Sequence, residues 1–139
     1  MKYFLSLGSN IEAGKNLDFA EKELNKILTN TKSSSIYRTK AEGFEGDDFL
    51  NSIISGDSIE SFDELNKKLK SIEDAAGRNR SAAKFSARTL DIDIVLQIDE
   101  GEEILFESDE IEKYTFVSDP LKELLKWEQK NLQEIFIGT

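Results

Sequence analysis

Two aspartates, Asp91 and Asp93, carry the strongest chemical signal in the chain. They sit in Leu90-Asp91-Ile92-Asp93-Ile94-Val95-Leu96, an alternating run that predicts a strand. Strand side chains alternate between faces, so both carboxylates point the same way, about 6–7 Å apart along the strand. Ile92, Ile94 and Leu96 are expected on the opposite, buried face. Two carboxylates aimed at one region repel each other unless a cation or a proton lies between them. Oxygen ligands without nitrogen or sulfur suit Mg²⁺, which takes a few carboxylates, waters and substrate phosphates. The plain alternative is an edge strand with a wet polar face.

Just upstream, the segment from Gly77 to Thr89 carries Arg78, Arg80, Lys84 and Arg88 with no acidic residue, in a chain whose net charge is −10. Alone, such a run reads as a solvated loop balancing nearby acids. Beside an aspartate pair it completes the parts for phosphoryl transfer. A metal neutralises and bridges phosphates, and guanidinium groups clamp phosphate oxygens through paired hydrogen bonds. A substrate that brings its own hydroxyl needs no nucleophilic side chain, because positioning supplies much of the catalysis. The small residues Ser81, Ala82, Ala83 and Ser86 offer little apolar burial, so this loop is expected to act as a mobile lid.

Composition removes the competing chemistries. The chain has no histidine and no cysteine, which excludes Ser-His and Cys-His catalysis, imidazole acid–base work, histidine or thiolate zinc sites, and disulfides. The acidic balance argues against nucleic acid as a partner. Nothing approaches membrane-span length, and Met1–Asn10 lacks a signal-peptide layout. The expectation is a cytoplasmic monomer acting on small molecules, with 139 residues forming a single domain over 1–139.

The elements that must position these residues are legible in outline. Lys2–Leu7 reads as a buried opening strand, with Gly8-Ser9-Asn10 as turn chemistry. Leu17, Ala20, Leu24, Ile27 and Leu28 recur with helical spacing. Ser34–Arg38 and Phe49–Ile54 look like strands separated by an acidic, Gly-containing loop from Glu42 to Asp48. Ser61 and Glu64 form a capping-box pattern ahead of Phe62, Leu65, Leu69 and Ile72, and Gly77 stands where a left-handed cap is expected. Asp99-Glu100-Gly101 turns the aspartate strand into a hairpin partner over Glu103–Phe106, and Asp119-Pro120 is expected to open a last helix carrying Leu121, Leu124, Leu125 and Leu132. The order fits an α+β ferredoxin-like βαββαβ sandwich with an added hairpin strand and C-terminal helix. That fold hosts many activities and decides none.

The stretch Leu69–Leu96, LKSIEDAAGRNRSAAKFSARTLDIDIVL, resembles the 6-hydroxymethyl-7,8-dihydropterin pyrophosphokinase family of folate biosynthesis. The shared pattern is Glu, then Gly-Arg-x-Arg, a basic-aromatic pair, and Arg-Thr-Leu-Asp-hydrophobic-Asp. Leu7-Gly8-Ser9-Asn10 resembles the family's first strand and turn, and Tyr37-Arg38-Thr39 with Phe49-Leu50-Asn51 its pterin-binding strands. The resemblance implies transfer of diphosphate from ATP, as co-substrate, to the pterin's hydroxymethyl group with release of AMP. It implies that Asp91 and Asp93 hold two Mg²⁺ ions. Arg78 and Arg88 would be catalytic, meeting the transferred group, and Arg80, Lys84 and Glu73 would join them in binding ATP. Thr39, Phe49 and Asn51 would shape the pterin pocket, with Phe85 and Phe116 as further aromatic faces.

The chain also departs from the family. Lys84 stands in place of a common Arg, Phe85 of Trp, and Ala41 of a loop proline. Glu107-Ser108-Asp109 falls where the family carries a Pro-His-Tyr-like element, and Tyr114 where it carries an arginine. These changes fall on the nucleotide grip and the pterin-side loop rather than on the metal pair. Two other readings stand beside the enzyme: a pterin- or nucleotide-binding relative with weakened or lost turnover, and a ferredoxin-like interaction domain whose Asp pair is only a wet sheet face.

Overall fold

The computed structural model describes residues 1–40, 48–77 and 90–126. Along the chain the elements are β1 (Lys2–Ser9), α1 (Ala13–Ile27), β2 (Thr29–Ser33), β3 (Tyr37–Thr39), β4 (Phe49–Asp57), α2 (Phe62–Ala75), β5 (Asp91–Ile98), β6 (Ile104–Glu107), α3 (Glu110–Lys113) and α4 (Thr115–Leu125). The strands form one six-stranded antiparallel sheet in the order β2-β4-β1-β5-β6, with β3 also paired to β4. This is the expected ferredoxin-like α+β fold. No helix among the described residues is long and apolar enough to cross a membrane.

The sheet is covered on both faces, because its strands carry two sets of apolar side chains. Tyr3, Leu5 and Leu7 of β1 join Ile54, Ile92 and Ile94 under Leu17, Leu24, Leu65 and Leu69 of the first two helices. Phe4, Ile53, Val95 and Leu96 form a second core with Ile111, Val117, Leu121, Leu124 and Leu125 of α3 and α4. The spacing of residues 117, 121, 124 and 125 gives α4 one apolar stripe, which it lays on that face.

The capping signals behave as read. Ser61 Oγ accepts from Glu64 N at 3.2 Å and donates to Glu64 Oε1 at 2.9 Å, and Gly77 takes φ +86° after the last turn. The Ser61 hydroxyl, with the Ser61 backbone N–H, holds the Glu64 carboxyl below its ordinary pKa.

Four expectations are corrected. Gly8 and Ser9 belong to β1 rather than to a turn. Of the strand expected over Ser34–Arg38 only Tyr37 and Arg38 are in a strand, β3; β2 ends before it at Ser33, and between them Ser34 turns both its N–H (2.8 Å to Ile53 O) and its Oγ (2.9 Å from Ile53 N) onto β4. Leu96 lies in the second core, not with Ile92 and Ile94: β1 pairs Leu5 with Ile94 and Phe4 with Leu96, so Val95 is an extra residue that flips the alternation. The last helix begins at Thr115 with Pro120 inside it, not at Asp119-Pro120. Burial of Val117 and Pro120 against the sheet outweighs the backbone hydrogen bond that proline cannot donate. Leu132 lies outside the described residues.

Candidate active site

The site is built on three neighbouring strands. Gly8 of β1 pairs with Asn51 of β4 on one side and Asp91 of β5 on the other, and Ser6 pairs with Ile53 and Asp93 in the next row. Residues two apart share a face. Asn51, Gly8, Ser6, Asp91 and Asp93 therefore lie on one face, the face that α3 and α4 cover further along. The second core ends at the row of Ile53; at the opposite end of that row the Asp93 side chain is 42% exposed.

Gly8 has a packing reason to be glycine. A Cβ there would sit 3.1 Å from Asn51 Oδ1. The bare backbone leaves the floor open between an amide and a carboxylate. Asn51 is buried, and its Nδ2 donates to Thr39 Oγ1 at 2.9 Å, which orients the amide and ties β3 to the site. Thr39 pairs with Phe49, so three of the five residues expected at the pterin are brought together. Phe116 packs on the second core and stacks against Tyr114, centroids 4.7 Å apart at 21°. Tyr114 therefore covers one face of the Phe116 ring.

On the aspartate side, the outer edge of β5 is met by Glu73 and Lys70 of α2. Glu73 is wholly buried, and its Oε2 accepts from Ile92 N at 2.7 Å. Lys70, one turn earlier, reaches Glu73 Oε2 and Ile92 O at 3.3 Å each, and Asp93 Oδ1 at 3.5 Å. Ile92 thus has its backbone held from the helix side while its neighbours Asp91 and Asp93 pair with β1. Glu73, expected from the resemblance to join in ATP binding, is buried and braces the aspartate strand at Ile92. Lys70 is a site residue that sequence reasoning missed. Its signal was its place one turn before Glu73 on the same helix.

Glu110 was missed as well. Burial first, and then the charges of Asp93, Asp91 and Asp109, hold its carboxyl above its ordinary pKa, with Lys113 offsetting part of the effect. It lies at the start of α3, within electrostatic reach of both aspartates. Asp109 instead points outward, 75% exposed, and pairs with Lys113 at 3.1 Å. Ser108 caps the turn: its N–H donates to Val95 O at 2.9 Å and its Oγ accepts from Glu110 N at 3.2 Å.

Arg78, Arg80, Lys84, Phe85 and Arg88 lie outside the described residues, as do Ala41 and most of the loop before Asp48. A cleft of about 540 Å³ among the described residues is lined by Lys2, Asp57, Ile59, Glu60, Ile98 and Asp99 at the far end of the sheet and holds none of the expected site residues. Lys2 is six positions from Gly8 along β1, about 20 Å away.

A divalent hard cation fits the residues present. The donors are all oxygen, the Asp93 carboxylate is part-exposed, and Gly8 leaves room beside Asp91. Among the described residues no group of three acidic side chains is close enough to hold an ion, so the remaining ligands would be water and substrate oxygens, the habit of Mg²⁺.

The chain matches the family model for 7,8-dihydro-6-hydroxymethylpterin-pyrophosphokinase over residues 4–126. It is 34% identical over 107 residues to the folate synthesis bifunctional protein of Chlamydia muridarum, and 36% identical over 105 residues to that of Chlamydia trachomatis serovar D. Each alignment takes in 70% of this chain but 23% of the relative, so the chain spans about a quarter of the length of these relatives. The matched residues run through the strands carrying Asn51, Gly8, Asp91 and Asp93, and on this sequence and this fold the chain belongs to the 7,8-dihydro-6-hydroxymethylpterin-pyrophosphokinase family.

Proposed function

We propose that the chain transfers diphosphate from ATP to the hydroxymethyl group of 6-hydroxymethyl-7,8-dihydropterin. The pterin's hydroxyl oxygen attacks the β-phosphorus, the bond between the α-phosphate and β-phosphorus breaks, and AMP leaves with the bridging oxygen. The hydroxyl proton passes to water or to a phosphate oxygen, as the chain has no imidazole to take it.

The observation that carries this reading is the row Asn51–Gly8–Asp91. It joins an amide able to match a heterocycle edge to a carboxylate pair able to hold a divalent ion, with no side chain between them. Asn51, fixed by Thr39, orients the pterin between Phe49 and Phe116, and Phe85 adds a further aromatic face. Asp91 and Asp93 would hold Mg²⁺, which when bound would supply positive charge to offset that of the ATP phosphates. Arg78 and Arg88 meet the transferred group, with Arg80 and Lys84 on the triphosphate. Glu73 supports the nucleotide side by fixing Ile92, and so both flanking aspartates.

The test is AMP release from ATP and Mg²⁺, with and without the hydroxymethyl dihydropterin. Release that depends on the pterin is expected. Release independent of it, or none, would contradict diphosphate transfer.

A further inference from the structure

Lys70 bridges two carboxylates of opposite situation. Its Nζ is 3.3 Å from Glu73 Oε2, which is fully buried, and 3.5 Å from Asp93 Oδ1, whose side chain is 42% exposed and faces the site. Its third contact, to the Ile92 carbonyl at 3.3 Å, anchors the ammonium at the edge of β5. The Lys70 side chain itself is 34% exposed, so its charge is only partly screened.

We propose that Lys70 is a positioning residue that takes the electrostatic place of the divalent ion beside Asp93, so that metal uptake is tied to nucleotide binding. The inference rests on the reading that Asp91 and Asp93 hold that ion. An ammonium in contact with a ligand carboxylate satisfies part of its charge and repels a second cation approaching the same group. A divalent ion arriving alone must overcome that repulsion. One arriving with a polyphosphate brings enough negative charge to favour both cations at once, and the ammonium becomes a neighbour of the phosphates rather than a competitor. Lys70 therefore weakens the bare metal site and leaves the nucleotide-loaded site intact. A residue that merely pinned the end of α2 would act the other way: its loss would loosen Asp93 and weaken metal binding in both states.

The experiment compares Mn²⁺ binding, followed by the spin-resonance signal of the free ion, with and without α,β-methylene ATP. It uses the wild type, Lys70→Met, Lys70→Arg and the Asp91→Asn, Asp93→Asn double variant. Lys70→Met should bind Mn²⁺ alone about three- to tenfold more tightly than the wild type. Lys70→Arg should match the wild type, and the gain in Lys70→Met should disappear with the nucleotide analogue. Equal or weaker binding of Mn²⁺ alone by Lys70→Met would overturn the proposal. If the wild type and the double Asp variant bind Mn²⁺ alike in the presence of nucleotide, the metal assignment itself fails, a separate outcome. Circular dichroism checks each fold, and Lys70→Gln replaces Lys70→Met if the latter does not fold.

Discussion

Asn51 and Asp91 are cross-strand partners of the same residue, Gly8, and face each other across its bare backbone. The two candidate groups thus stand in one row of the sheet, with one strand between them. That placement makes the glycine as specific a requirement as the groups on either side.

Gly8→Val tests that requirement. The new Cβ would lie 3.1 Å from Asn51 Oδ1, and the added methyls would reach further over the floor. The Asn51 amide must then rotate away from Thr39. Pterin affinity, measured by fluorescence titration, should fall about tenfold, equivalent to roughly 1.4 kcal/mol. Unchanged affinity would mean that the pterin does not lie over this row.

Glu73 gives a stability prediction. Glu73→Leu removes the acceptor of the buried Ile92 N–H and a partner of Lys70. The loss should be about 2–3 kcal/mol in denaturant unfolding, while Glu73→Gln, which keeps an acceptor, should lose less than half of that. Equal losses would show that the backbone hydrogen bond is not the main contribution.

How much of this was legible in the sequence depended on whether the signal was local. The alternation around Asp91 and Asp93 put both carboxylates on one face, and the capping pattern at Ser61 located α2, because each depends on residues a few positions apart. β2 was invisible: Thr29–Ser33 is polar throughout, an edge segment whose pairing comes from β4 rather than from an apolar face. The misplacement of Leu96 came from the extra residue at Val95, which no alternating pattern reveals. Lys70 and Glu110 reach the site through tertiary packing, across 23 residues in the case of Lys70 and Asp93, and carry no motif of their own.

Glu110 sets a pH dependence. Its carboxyl titrates above the ordinary value of 4.5 because burial and the charges of Asp93, Asp91 and Asp109 disfavour the ionised form in the fold. The folded chain therefore binds this proton more tightly than the unfolded chain. Ionised Glu110 costs stability at neutral pH, and the cost fades as pH falls through the raised pKa towards 4.5. Glu110→Gln should raise the melting temperature at pH 7 and give little gain at pH 4. A gain equal at both would assign the effect to packing.

Tyr114 supports Phe116 by stacking. Tyr114→Ala should free that ring and weaken pterin binding by about three- to tenfold, with Tyr114→Phe restoring it, since an aromatic pair contributes about 0.5–1.5 kcal/mol beyond its buried area. Failure of Phe to restore affinity would shift the role to the hydroxyl.

The central claim is that Asp91 and Asp93 hold the metal for diphosphate transfer to a pterin bound beside Asn51. The most direct measurement follows AMP and pterin diphosphate together by chromatography in the wild type, Asp91→Asn and Asp93→Asn, with pterin binding measured in parallel. The wild type should give the two products in equal amounts. Each Asp variant should lose turnover by at least about a thousandfold, more than about 4 kcal/mol of transition-state stabilisation, while still binding the pterin. Turnover near the wild-type rate in either variant would contradict the account.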